Sequence, residues 1–319
     1  MSGTDAPSAP TQKSERFRLL ICVDGSQEAL RGMRYGAKLG GGVDADITIM
    51  YVRSPETPVV AHEETGGATP PSEGWGMALP GMRHLEEARR TLTTYGWMEE
   101  GWSHTESERE FDGDPLGEFE VAYLSPGGHV IRLKLKLGHS IAETILDEGA
   151  ESGANLIIVG ATGARKGLSR LLMSSVAQKV MLHAHCSVLV ARELEEEHGH
   201  LIGIDGSERS YEVMVQDATL ALRCDCPVSL ISVAPSVQRE ARAREIVEEG
   251  QRRLRGAGLE AIECLTAVGH PVEELARRGK DYSVIVVAAH DQSGLSRFFV
   301  GSTALNLVMT AAHSVLVVR

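Results

Sequence analysis

The sequence predicts an α/β protein of two tandem domains, each a parallel sheet wound with helices on both faces. Three observations carry that expectation. Apolar runs rich in Val and Ile, such as "LLICV" and "VIVVAA", alternate with amphipathic segments of helical period. That is the pattern of strands buried on both faces. The chain also repeats itself. "LLICVDGS" (19–26) returns as "LIGIDGS" (201–207), "GLSR" (167–170) returns at 294–297, and "SVLVAR" (187–192) returns as "SVLVVR" (314–319). The order of the motifs is kept, so each copy is a whole winding. Finally, 319 residues with 42% hydrophobic content are enough for two cores.

The second copy gives the plainest element order. "HLIGID" reads as a strand, "ERSYEVMVQDATLALR" as a helix and "PVSLISVA" as a strand. A helix over about 237–255, the strand "EAIECLTAV" and a short helix from Pro271 follow. Pro suits a first helical turn, where its missing N–H leaves no bond unmade. The strand "VIVVAA", a helix from Ser302 and the strand "SVLVV" complete it. The first copy is longer by about 50 residues, judged by its motif spacing. The excess is assigned to an insertion over about 60–128. Its first part, rich in Gly and Pro, is expected to be a loop, and "FEVAYLSPGGHVIRLKLKL" to be a hairpin added to the sheet. Trp75, Trp97 and Trp102 all fall in this insertion. They form either a satellite core or a surface for a protein partner. The expected boundaries are a disordered tail at 1–16, domains at 17–192 and 200–319, and a charged linker at 193–199.

A net charge of −12 argues against nucleic acid or an anionic membrane as the main partner. No apolar run approaches the roughly 18–20 residues that a membrane span needs. The tail lacks a signal-peptide core, and five cysteines are too few for a disulfide scaffold, so a cytoplasmic location is expected.

Asp24-Gly25-Ser26 closes the first strand of its copy, and Gly160-Ala161-Thr162-Gly163 follows the fourth. In a doubly wound sheet those loops face each other where the winding reverses, the usual place for a ligand. A carboxylate such as that of Asp24 accepts hydrogen bonds from a ribose or an adenine. Closely placed glycines let backbone approach phosphate oxygens. Arg165, with Lys166 and Arg170, adds positive charge to the loop or forms a solvated edge. Ser174 and Ser175 stand where a helix begins and offer hydroxyls and N–H groups to an anion. There is no G-x-G-x-x-G after the first strand and no G-x4-G-K-[S/T], which removes dinucleotide and P-loop chemistry. "RCDC" (223–226) and the group His183, His185 and Cys186 read as structural residues. No catalytic set and no metal site is expected.

With these motifs the chain resembles a tandem member of the universal stress protein superfamily. The resemblance implies Rossmann-like domains of the adenine nucleotide alpha hydrolase type, and ATP or AMP, with or without Mg2+, as ligand. Nucleotide-binding members carry an Asp after β1 and a phosphate pattern G-x2-G-x9-G-[S/T]. The resemblance assigns Asp24, Ser26, Val52, Gly160, Gly163, Arg165, Ser174 and Ser175 to the first site, with Met173 in the place of the third Gly. It assigns Asp205, Val233, Gly301 and Ser302 to a degenerate second site, where Ala288 and Asp291 replace the first two glycines. A carboxylate at Asp291 would repel phosphate. The sequence thus favours the first half. The implied function is regulatory binding of an adenine nucleotide rather than catalysis, with the two copies packed against each other through the final strands and a homo-oligomer formed through them. A scaffold that uses the Trp-bearing insertion, and a weak ATPase or autokinase, remain as alternatives.

Overall fold

In the computed structural model the described residues are 16–55, 81–111, 114–162, 173–193, 198–289 and 300–319. Within the first copy run β1 (Arg18–Cys22), α1 (Gln27–Val43), β2 (Asp46–Arg53), α2 (Met82–Thr94), β3 (Ser103–Phe111) and β4 (Asp114–Leu124). Then come β5 (Val130–Leu137), α3 (Ile141–Ser152), β6 (Leu156–Gly160), α4 (Ser175–His183) and β7 (Ser187–Ala191). The second copy has β8 (His200–Gly203), α5 (Glu208–Arg223), β9 (Val228–Ala234), α6 (Glu240–Gly256) and β10 (Glu263–Val268). It ends with α7 (Pro271–Arg278), β11 (Val284–Ala288), α8 (Ser302–Thr310) and β12 (Ser314–Val318).

The strands of the described residues join one 12-stranded sheet in the order β10-β9-β8-β11-β12-β7-β6-β1-β2-β5-β4-β3. Both halves follow the same winding. The first strand lies between the second and the fourth, as Leu20 opposite Ile157 and Leu201 opposite Ile285 show. The core forms two layers. Met33, Leu85, Tyr211 and Ile246 of α1, α2, α5 and α6 share one side, while Ile145, Val180, Val272 and Leu307 of α3, α4, α7 and α8 share the other. Helix α1 lies close on the sheet through Gly32, Gly36 and Gly40. A Cβ on Gly36 would stand 2.6 Å from Ile158.

The expected hairpin is present, with a difference. Strand β5 pairs in parallel with β2 and so is the third strand of the first winding, not an addition. The added strands are β4 and β3, which extend the sheet in antiparallel fashion. Helix α2, inside the stretch read as insertion, joins the second and third strands of its winding as α6 does in the other half. The open edge strand β3, "SHTESEREF", carries charges on alternate residues, which discourages edge-to-edge pairing. Trp97 and Trp102 are partly buried against the core, and Trp97 stacks on Tyr95 at 4.9 Å. Trp75 lies outside the described residues.

The final strands pair antiparallel within the chain, Leu316 opposite Leu189. This is the packing expected of the two copies, and it leaves these strands no part in the expected homo-oligomer. Each has a neighbour on both sides, β6 and β12 for β7, β11 and β7 for β12, so no edge is left for a second chain. The repeated arginines that end the two copies lock this seam. Arg192 donates to the carbonyl oxygen of Val308, at the end of α8 (3.1 Å). Arg319 donates to the Cys186 oxygen (3.0 Å) and to the Met181 oxygen in α4. Each cation thus meets the negative end of the other half's last helix. Burial pulls both guanidinium pKa values below their ordinary range.

Candidate functional site

The DGS motif builds the same turn twice. Asp24 Oδ1 accepts from the Ser26 N–H at 2.9 Å, and Ser26 Oγ caps α1 by accepting from Ala29 N–H at 3.1 Å. Asp205 Oδ1 accepts from Ser207 N–H (2.9 Å) and Ser207 Oγ (2.6 Å), and Ser207 Oγ caps α5 through Ser210 N–H. Each turn lies at the C-terminal end of its first strand, beside the end of the fourth. The short side chain at Ser26 and the bare Gly160 suit this proximity, since a Cβ on Gly160 would stand 3.2 Å from Ala29 N.

In the second half the four residues assigned from sequence meet at one opening. Asp205, Val233, Gly301 and Ser302 line a cleft of about 930 Å³. Gly203 and Ile231 also line it, Leu275 of α7 forms one wall, and Val300 lies beside Gly301. Helix α8 begins here with Gly301 as its N-cap and no side chain bonded to its first N–H groups. An uncapped helix N-terminus at a cleft is an anion site by geometry and dipole. Ser302, the first residue of α8, is exposed beside it.

The first half differs at each of these points. Cys22 stands where the second half has Gly203, Met50 where it has Ile231, and Met173 where it has Val300. Burial, helped by the charge of Asp24, pushes the Cys22 thiol well above its ordinary pKa and keeps it neutral. Val52 is buried on β2. Glu28 in the first turn of α1 accepts from Thr162 N–H at 2.9 Å and from Thr162 Oγ1 at 2.5 Å. A carboxylate therefore sits on the loop that follows β6; the second half has Arg209 in that place. Sequence reading passed over Glu28, because only the fold brings it to Thr162. Gly163, Arg165 and Asp291 lie outside the described residues.

The helix starts also correct the reading of Met173. Ser174 is the N-cap of α4 and Gly301 the N-cap of α8, with closely similar φ and ψ, −66° and 149° against −59° and 154°. Ser174 therefore takes the place of the third glycine, and Ser175 that of Ser302. The loop before α4 is one residue longer, and Met173, like Val300, is buried in the core. Negative φ at this position makes no demand for glycine. Ser174 Oγ accepts from Ala177 N–H at 3.1 Å, so part of the N-terminus of α4 is already capped. Ser174→Ala is expected to lower stability by about 1 kcal/mol and Ser174→Gly by only a few tenths. Equal losses in thermal unfolding would contradict the cap assignment.

Among the described residues no three His, Cys, Asp or Glu side chains converge to hold a metal ion. His183 and His185 are exposed and Cys186 is buried. No helix among them is long and apolar enough to cross a membrane.

Comparison with known proteins agrees with the repeat. The family model described as the universal stress protein family matches twice, over residues 15–192 and 200–319. A universal stress protein of Mycolicibacterium smegmatis is 25% identical over 333 aligned residues, covering 97% of this chain and 99% of the relative. One from Methanocaldococcus jannaschii is 27% identical over 184 residues, 56% of this chain and 84% of that protein. The fold is that of a solved universal stress protein from Pseudomonas aeruginosa, described as putative, with a TM-score of 0.62 at 16% identity, covering 94% and 92% of the two chains. One from Archaeoglobus fulgidus has a TM-score of 0.55 at 13% identity, covering 95% and 98%.

Proposed function

Because the chain belongs to the universal stress protein family, we propose that it is a regulatory protein that binds an adenine nucleotide, in the cleft of its second half. One observation carries this reading: Asp205, Val233, Gly301 and Ser302 surround a single opening large enough for a nucleotide. The roles follow from position. Asp205 receives hydrogen bonds from the ribose, Val233 flanks the adenosine, and the start of α8 with Ser302 receives phosphate. Glycine content pointed to the first half. Side-chain size supports the second, where Gly203 and Val300 stand in place of Cys22 and Met173. Mg2+ beside the phosphates would offset the charge of Asp291.

Titration of the purified chain with ATP and AMP by calorimetry tests the reading, after bound nucleotide has been removed and identified by chromatography. Saturable binding at one site per chain is expected. Absence of heat with both nucleotides, from protein that releases none on denaturation, would overturn it.

A further inference from the structure

The densest chemistry outside the cleft lies at the seam between the halves. Cys224 and Cys226 flank Asp225 just after α5, and Asp225 adopts a left-handed φ of 55°. That turn leaves the two sulfurs 3.6 Å apart, with the Ala221 oxygen also 3.3 Å from Cys224 Sγ. His200, at the start of β8, interacts with Cys226. Its Nδ1 meets Asp217 Oδ2 at 2.8 Å, and its Nε2 is hydrogen-bonded to the hydroxyl of Tyr35, which reaches over from α1 of the other half. His200 and Asp217 side chains are each 1% exposed. The turn is pressed against the end of α1: a Cβ on Gly42 would stand 2.4 Å from the Arg223 oxygen.

Burial opposes a charge on His200, but the Asp217 carboxylate more than reverses this and raises the imidazole pKa to about 10. The Cys226 thiol is held below its ordinary value by the hydrogen bond from Cys224, with His200 and Lys38 adding to it against desolvation. The Cys224 thiol is driven up by that same hydrogen bond and by burial. One nucleophilic thiolate beside one protonated thiol is the arrangement that disulfide formation requires.

We propose that Cys224 and Cys226 are a redox-modification site that closes to a disulfide when the protein meets a small hydroperoxide. The Cys226 thiolate attacks the peroxide oxygen, forming sulfenic acid as the O–O bond breaks, and the departing alkoxide or hydroxide takes up a proton. The Cys224 sulfur then attacks the sulfenic sulfur and water leaves. Two thiols and one hydroperoxide become one disulfide, one alcohol or water, and one further water. The sulfurs must close by about 1.5 Å to bonding distance. Both cysteines are buried, each 6% exposed, so the oxidant must be as small as hydrogen peroxide. The other cysteines differ. The thiol pKa values of Cys22, Cys186 and Cys264 are all raised, chiefly by burial, and none of these three has a second sulfur beside it among the described contacts.

The test is treatment of the native full chain with hydrogen peroxide, quenching with iodoacetamide, and mass spectrometry of the peptide that begins at Cys224. That peptide is expected to lose two hydrogens and to resist alkylation before Cys264 changes, and a dithiol should reverse it. His200→Gln, a change in a positioning residue, should slow the reaction about tenfold or more near pH 6 and much less near pH 9, where an ordinary thiol is itself ionised. A uniform slowing at both pH values would overturn the role of His200. Oxidation of Cys264 first, with Cys224 and Cys226 still alkylated, or passage to sulfinic acid without loss of two hydrogens, would overturn the site. The wild-type measurements decide the site whether or not the variant folds.

Discussion

Replacing Asp205 with Ala is expected to weaken adenine-nucleotide binding about tenfold to a hundredfold, with the chain still folded. The range corresponds to losing one or two hydrogen bonds from a charged acceptor, about 1.5–3 kcal/mol. The fold should survive because Ser207 Oγ still caps α5 through Ser210 N–H. The loss of the Asp205 turn to Ser207 is confined to the surface of the loop. Asp24→Ala is the matched control. It removes the same turn from the first half, where Cys22, Met50 and Met173 occupy positions that line the second-half cleft. Affinity in that variant should stay within about twofold of the parent, far less than one lost charged hydrogen bond would give. Calorimetry on the two proteins distinguishes the halves. If Asp24→Ala removed binding and Asp205→Ala left it intact, the nucleotide would belong to the first half.

The largest expected stability change is at Asp217. Its carboxylate partners His200 in a region from which water is excluded. Asp217→Ala leaves the imidazole without its counter-charge, a change that costs about 3–5 kcal/mol when a buried pair is broken. Asp217→Asn keeps a hydrogen-bond acceptor for Nδ1 and should cost less. The pH dependence has a definite sign. His200 has a folded-state pKa near 10, above the unfolded value near 6.5, so the folded chain binds more protons between them. The stability contributed by the charged ring is fully present below about pH 6.5 and is lost as pH rises through about 10. Denaturant unfolding of the parent and of Asp217→Asn at several pH values should show this decline in the difference between them. Because the lowered Cys226 thiol contributes with the opposite sign, the difference between parent and Asp217→Asn decides, and a difference that grows with pH over the alkaline range would contradict a charged His200.

Much of the candidate site was legible in the residues. Aspartate, glycine and serine at a strand end specify a capped turn wherever they occur, and their recurrence at 24–26 and 205–207 marked both turns. The register of the phosphate loop was not legible. Counting along the family pattern placed Met173 at the third glycine, since a sequence does not show which residue first takes helical φ and ψ. The cap bonds of Ser174 and the matching backbone of Gly301 set the register, and Met173 then falls in the core. The bearing of Glu28 on the first-half loop appeared only once Thr162 was found beside it.

By itself the sequence determined the local and the periodic: alternating strands and helices, two copies, and their turns. Those features depend on neighbours within a few residues or on a repeat that can be laid over itself. The tertiary structure decided what depends on contacts between distant residues. It joined β7 to β12 and so closed one sheet through the chain. It carried Arg192 and Arg319 to each other's halves and set Tyr35 against His200. It also gathered Asp205, Val233, Gly301 and Ser302, distant along the chain, around one cleft. The physical reason is packing. Space at a site depends on which side chains from several strands and helices turn into it, and that is fixed only when all of them are in place.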